Sequence, residues 1–129
     1  MIKLAGVHHI AIICSDYQRS KAFYTETLGF AVRSEVYRRE RGSYKLDLAL
    51  GDKYVIELFS FPNPPKRPSQ PEACGLRHLA FLVEDIEGAS KELLEKGISV
   101  EAIRVDQFTG KRYTFFADPD GLPIELYEK

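Results

Sequence analysis

Apolar and polar positions along this chain fall into one pattern, used twice. The stretch HHIAIICSD at 8–16 returns as RHLAFLVED at 77–85, each with a histidine, alternating apolar residues and an acidic stop. His9 to Asp16 and His78 to Asp85 both span 7 positions, and Gly29 to Glu57 and Gly97 to Glu125 both span 28. The intervening segments differ by one: Asp16 to Gly29 is 13 positions and Asp85 to Gly97 is 12. Two halves that superimpose with a single one-residue shift mark a duplicated structural unit.

Each half predicts the same elements. A strand comes first, at 7–13 and 76–83, rich in aliphatic, aromatic and β-branched residues. A helix follows, capped by Ser15 or Asp16 in the first half and by Asp85 in the second, where a side-chain oxygen accepts a backbone N–H. Ile86, Ala89 and Leu93 form one apolar stripe on the second helix, and Ala22, Phe23 and Leu28 a less regular one on the first. Gly29 and Gly97 stand where a helix ends in a left-handed residue. Three strands then follow, near 30–37, 44–50 and 54–60, and again near 98–104, 111–117 and 122–127. The turn signals GDK at 51–53 and DPDG at 118–121 divide the last pair in each half. The expected fold is α+β, built from two β-α-β-β-β modules, about 1–61 and about 76–129. Between them PNPPKRPSQPEACG at 62–75 holds five of the seven prolines, so it is stiff and extended and reads as the linker. It also has the character to wall a site.

Length and composition fit one domain with a real core. The chain has 129 residues, 44% hydrophobic, and no apolar run near the roughly 18 residues that span a bilayer. The opening MIKLAGVHH lacks the apolar core of a secretory signal, so a soluble, cytoplasmic protein is expected. A net charge of −1 offers no field for nucleic acid or an anionic membrane. Cys14 and Cys74 make neither a disulfide framework nor a Cys-x-x-Cys site; Cys14 reads as a small buried residue.

Four polar residues interrupt the apolar strands: His9, Glu57, His78 and Glu125. Alone, such a histidine is usually packed and such a glutamate usually lies on an exposed face. Here both histidines share one module position and both glutamates share another. A charged carboxylate among strand apolars is costly unless paired or bound to a metal. Two imidazoles and two carboxylates suit a divalent cation such as Zn, Ni, Co, Mn or Fe. Strand alternation puts His9, Ala11 and Ile13 on one face and Glu57 with Phe59 and Phe61, so the cup would have aromatic and aliphatic walls. His8 is expected to turn towards the helix layer, and Arg77, its equivalent, is not expected to be a ligand.

The motifs HHIAIICSDYQRSKAFYTETLGF, IELFSF, LRHLAFLVED and FADPDGLPIELYEK resemble, over nearly the whole chain, the vicinal oxygen chelate superfamily, the glyoxalase I, bleomycin resistance and extradiol dioxygenase group. The resemblance implies two βαβββ modules around a metal cup, with His9, Glu57, His78 and Glu125 as ligands. It implies a lyase or isomerase acting through a metal-stabilised enediolate on a small substrate with adjacent oxygens, Glu125 being the leading base and Glu57 its partner. It also implies a homodimer in which His9 and Glu57 face the second pair of the other copy; a cup within one chain satisfies the same pattern. Two positions depart from the glutathione-dependent type: Ile13 replaces an arginine and Phe61 an asparagine. An anionic substrate would then look to Arg38, Arg39, Lys45, Lys111 or Arg112.

Other members of the group remain alternatives. Extradiol dioxygenases and thiol transferases of the fosfomycin type commonly use two histidines and one glutamate, which leaves Glu57 surplus. An epimerase of acyl-CoA esters also passes through an enolate but commonly carries glutamine near the position of Glu57. Antibiotic-sequestering relatives bind without a metal and lack the ligand set.

Overall fold

The computed structural model describes residues 1–129, which divide into two compact units, Met1–Pro65 and Lys66–Lys129. In the first unit the elements run β1 (Ile10–Cys14), α1 (Tyr17–Ala22), β2 (Ala31–Arg38), β3 (Ser43–Leu50) and β4 (Lys53–Ser60). In the second they run β5 (Leu79–Val83), α2 (Ile86–Glu95), β6 (Arg104–Val105), β7 (Arg112–Ala117) and β8 (Pro123–Glu128). Each unit forms a four-stranded sheet of the same order, β1-β4-β3-β2 and β5-β8-β7-β6. The first strand lies parallel to the last and the remaining pairs are antiparallel. Both modules are therefore βαβββ, as the repeat predicts.

Local chemistry sets the helices. Asp16 caps α1 by accepting from the Arg19 N–H, and Asp85 caps α2 by accepting from the Gly88 N–H. Gly29 and Gly97 both end their helical segments at φ +79°, a conformation only glycine enters without a Cβ penalty. The one-residue shift between the halves has a structural address. After Ala22, α1 widens into a π-type turn over Phe23–Thr27, and the Leu28 N–H donates to the Phe23 carbonyl. A π-turn absorbs one extra residue inside a helix, and α2 has none.

One side of each sheet is covered by its helix. Ile12, Cys14, Leu46, Leu48, Ile56 and Leu58 are buried in the first unit, and Leu79, Phe116, Ile124 and Leu126 in the second, against Tyr17, Tyr24, Ile86 and Leu93. A fully buried aliphatic side chain contributes about 1.5–3 kcal/mol, so these residues supply most of the cohesion of each unit. The opposite faces carry the polar residues. No helix is long and apolar enough to cross a membrane.

Three strand expectations need correction. The opening strands begin at Ile10 and Leu79, not at 7 and 76, because pairing with β4 starts at Ile56 and pairing with β8 starts at Ile124. The strand expected at 98–104 is reduced to Arg104–Val105. Glu101 still donates its N–H to the Phe115 carbonyl, but the Thr114 hydroxyl takes the Glu101 carbonyl at 2.7 Å, so a side chain replaces the next ladder bond. The proline-rich stretch is divided between the units: Arg67 donates to the Leu76 and Arg77 carbonyls and so ties its later half to the approach of β5.

Candidate metal centre

Register brings each histidine to its glutamate. In the parallel pair β1–β4, Ala11 lies opposite Glu57; in β5–β8, Ala80 lies opposite Glu125. His9 and His78 stand two residues before those alanines, just ahead of the paired strands, and their side chains reach back to the glutamates. The imidazole Nε2 of His9 lies 2.5 Å from Glu57 Oε2, and His78 Nε2 lies 3.1 Å from Glu125 Oε2. The same atoms meet in both units. No third His, Cys, Asp or Glu side chain joins either pair in a group that could hold a metal ion. Each unit thus pairs one histidine with one glutamate.

The donor set fits a divalent cation. Adjacent donors about 2.1 Å from an ion stand about 3.0 Å apart in an octahedron and about 3.4 Å apart in a tetrahedron. The pair in the second unit is close to the octahedral spacing and that in the first is tighter. Nitrogen and carboxylate together suit Zn and its first-row neighbours.

The surroundings of the two pairs differ. Glu57 is 9% exposed, and an isolated carboxylate there would cost several kcal/mol, roughly. Lys45 Nζ, 3.0 Å from Glu57 Oε1 and 2.7 Å from Asp47 Oδ1, offsets that cost. Burial opposes ionisation of Glu57, but hydrogen bonds from Lys45 and Tyr54 outweigh it and hold the carboxyl below the usual range. Hydrogen bonds to Asp47 and Glu57 in turn raise the Lys45 ammonium. Burial and the Glu57 carboxylate push the Tyr54 phenol up, so it stays a donor; its hydroxyl donates to Asp47 at 3.2 Å. Around Glu125 the neighbours are aromatic. The Phe115 ring stands perpendicular to His78 with centroids 5.2 Å apart, and Tyr113 and Tyr127 stack nearby.

The residue before each histidine touches its other nitrogen. His8 is exposed, not turned to the helix layer as expected, because it precedes the paired part of β1 and escapes the strand alternation. Its Nδ1 lies 2.8 Å from His9 Nδ1, and its ring packs edge-on to Tyr54. With His8 as acceptor, His9 presents a lone pair at Nε2, as a ligand must. Arg77 pairs with Glu72 and places a guanidinium nitrogen 3.3 Å from His78 Nδ1. Arginine only donates, so this contact favours the tautomer with its proton on His78 Nε2, facing Glu125, and a cation bound there would have to displace that proton.

Beside Phe115 the second unit opens a cleft of about 650 Å³, whose lining includes Arg67, Gln70, Glu72, Arg77 and Arg104. Three of these come from the proline-rich stretch. The Lys45–Asp47 pair adds to the expected residues, and YKLDLAL carries its signal: two charges at alternate positions beside buried leucines share one strand face.

The family model described as Glyoxalase/Bleomycin resistance protein/Dioxygenase superfamily matches residues 6–126. The chain is 66% identical to the uncharacterized protein YwkD of Bacillus subtilis (strain 168) over 126 residues, 98% of each chain. It is 64% identical to the uncharacterized protein YaeR of Escherichia coli (strain K12) over 129 residues, all of both chains. A crystal structure of a glyoxalase family protein from Enterococcus faecalis superimposes with a TM-score of 0.89 at 55% identity, covering 96% of this chain and 98% of that one. More distantly, the chain is 30% identical to a 2-epi-5-epi-valiolone epimerase of Actinomyces sp over 94% of its own length and 78% of the epimerase.

Proposed function

The chain belongs to the glyoxalase/bleomycin resistance protein/dioxygenase superfamily, and on that premise we propose that it is a divalent-metal-dependent lyase or isomerase of the glyoxalase I type. The observation that carries this reading is the duplicated half-site: His9 with Glu57 and His78 with Glu125, the same atoms in the same register. In a cytoplasmic homodimer, the half-site of one module completes its ligand set with the other half-site of a second copy. The substrate is a small molecule with two adjacent oxygens.

His9, Glu57, His78 and Glu125 would hold the cation, which supplies positive charge to stabilise negative charge developing on the substrate oxygens. The chain's own groups divide the remaining work. Glu57, fastened by Lys45, stays ionised and fixed. Glu125 has only His78 and aromatic rings beside it, so its carboxylate is the freer of the two. It takes a proton from one carbon and returns it to the neighbouring one.

The epimerase relative supports a neighbouring reading, removal and return of a proton at a single carbon beside a carbonyl. Both readings need the same ligands and base. The test is metal analysis of the purified protein, followed by assay of the Zn, Ni, Co and Mn forms against hemithioacetals of several thiols and against racemisable 2-oxo compounds. Metal at the ligand set with hemithioacetal turnover supports the lyase; proton exchange without it supports the epimerase. No uptake of any of these ions would overturn both.

A further inference from the structure

Five cations were candidates to grip an anionic substrate, and their surroundings separate them. Lys45 is held by Asp47 and Glu57, Arg112 by Glu128 and Glu87, and Lys111 donates to the Lys129 carbonyl. Arg39 is exposed, in the turn after β2. Arg38 differs. It is half-buried at the end of β2 and makes no ion pair. Register places Arg38 beside Ser43, Val36 beside Lys45, Lys45 beside Phe59, and Asp47 beside Glu57. Arg38 therefore shares the open sheet face with Glu57.

Its guanidinium is fixed and unsatisfied. The carbon Cζ lies 4.9 Å from the centroid of Phe59 and 5.8 Å from that of Phe61, two rings that stack on each other. One Nη donates to the hydroxyl of the buried Ser43 at 2.8 Å, while Nε is buried without a hydrogen-bond partner. A planar fork held on two rings, with donors to spare, is built for an oxyanion. The second module shows what a finished version of the same place looks like. The pair of positions matching Arg38 and Phe59 is Asp106 and Tyr127, and there the Tyr127 hydroxyl donates to Asp106 at 2.9 Å while the Phe108 N–H donates to Asp106 at 2.8 Å. That corner closes on itself. The Arg38 corner leaves its charge open.

We infer that Arg38 is an anion-binding, specificity-determining residue that takes a carboxylate or phosphate at the far end of the substrate. As a statement about substrate it rests on the proposed function. Glu57 and Phe59 are two residues apart on one strand, about 7 Å. The ligand class is therefore an oxyanion joined through a short apolar spacer, lying on Phe59, to the pair of adjacent oxygens. Phe61, which stands where glutathione-dependent members tend to have asparagine, then serves as part of the platform under Arg38.

The test uses the metal-free full chain labelled with 15N, titrated separately with glutarate and with phenyl phosphate. Saturable shifts of Arg38 Nε and of the Phe59 and Phe61 amides are expected, with binding weakened about 10-fold or more in Arg38→Met, the loss expected for one charge-assisted hydrogen-bonded contact. Arg38→Lys, which keeps the charge but not the fork, should recover part of it. Whichever anion binds more tightly identifies the headgroup. Unmoved Arg38 signals in the wild type, or equal affinity in Arg38→Met, overturn the assignment. Zinc uptake is measured on the same samples. Uptake without an Arg38 response sinks this inference and leaves the metal reading standing, whereas an Arg38 response without uptake keeps Arg38 as an anion site and sinks the metal reading, and with it the statement about substrate.

Discussion

In the first module Glu57 faces Asp47 across the sheet and shares Lys45 with it; in the second, Glu125 faces Phe115, and Tyr113 stands where Lys45 would be. The backbone has been kept and the company changed. One carboxylate sits in a charged, hydrogen-bonded setting that fastens it, the other against aromatic rings that do not. A duplicated arrangement thus yields two carboxylates in different settings, and the proposed division between a fixed ligand and a proton carrier rests on that difference. The same substitution of chemistry at a shared place recurs at the sheet edge. The Tyr44 N–H donates to Ser60 in one module, and the Arg112 N–H donates to Glu128 in the other.

The largest effects should come from the two glutamates. Glu125→Gln should lower turnover of an accepted hemithioacetal by about 10²–10⁴-fold, the usual worth of a general base, with less loss of bound metal than Glu57→Gln. Glu57→Gln should act chiefly on metal content, read by mass spectrometry of the purified protein. If the two variants lose metal and turnover in parallel, the division of labour between the modules is wrong.

Next in size are the histidines. His9→Ala and His78→Ala should each weaken metal binding by at least the 10–100-fold seen when ligand support is removed, measured by competition with a chelating dye. Equal affinity in wild type and both variants would place the ion elsewhere.

Lys45→Met sharpens the contrast further. It leaves Asp47 and Glu57 side by side without their shared cation. The variant should melt lower than the wild type without metal, and gain more in Tm when a divalent ion is added, because the ion replaces the missing positive charge. A smaller metal-induced gain than in the wild type would contradict the role given to Lys45.

The smallest effect is at the edge of the second module. Hydrogen bonds from Arg112 hold the Glu128 carboxyl down at about 2. A depressed carboxyl stabilises the fold above its unfolded value near 4.5, and that contribution fades as pH falls towards 2. Glu128→Gln should therefore flatten the fall in Tm between those values and change little above them. The pair is only half-buried, so the shift should be modest. An unchanged acid limb would remove Glu128 from the account.

What was legible in the chain was local or periodic. Asp16, Asp85, Gly29 and Gly97 announce helix ends through their own backbone chemistry, and the βαβββ repeat follows from their spacing. The π-turn at Phe23–Thr27 was visible only as a one-residue surplus, since an insertion inside a helix leaves no residue type of its own. Strand limits were overrun at 7–9 and 76–78 because β-propensity continues where the partner strand does not. His8 was placed on the wrong side for the same reason: alternation holds only where pairing fixes the strand. At the candidate site the histidines and glutamates stood out as polar residues in apolar strands. Lys45 and Arg38 were two of five cations named for an anionic substrate, and only the sheet register told them apart, setting one on Glu57 and the other over Phe59.

The most direct test of the central claim is anomalous diffraction from crystals of the zinc-loaded protein, collected on either side of the metal edge. One peak per chain, with His9, Glu57, His78 and Glu125 side chains all within ligand distance of a peak, is the result expected. A peak held by other residues, or by one histidine–glutamate pair with the other left unengaged, would contradict it.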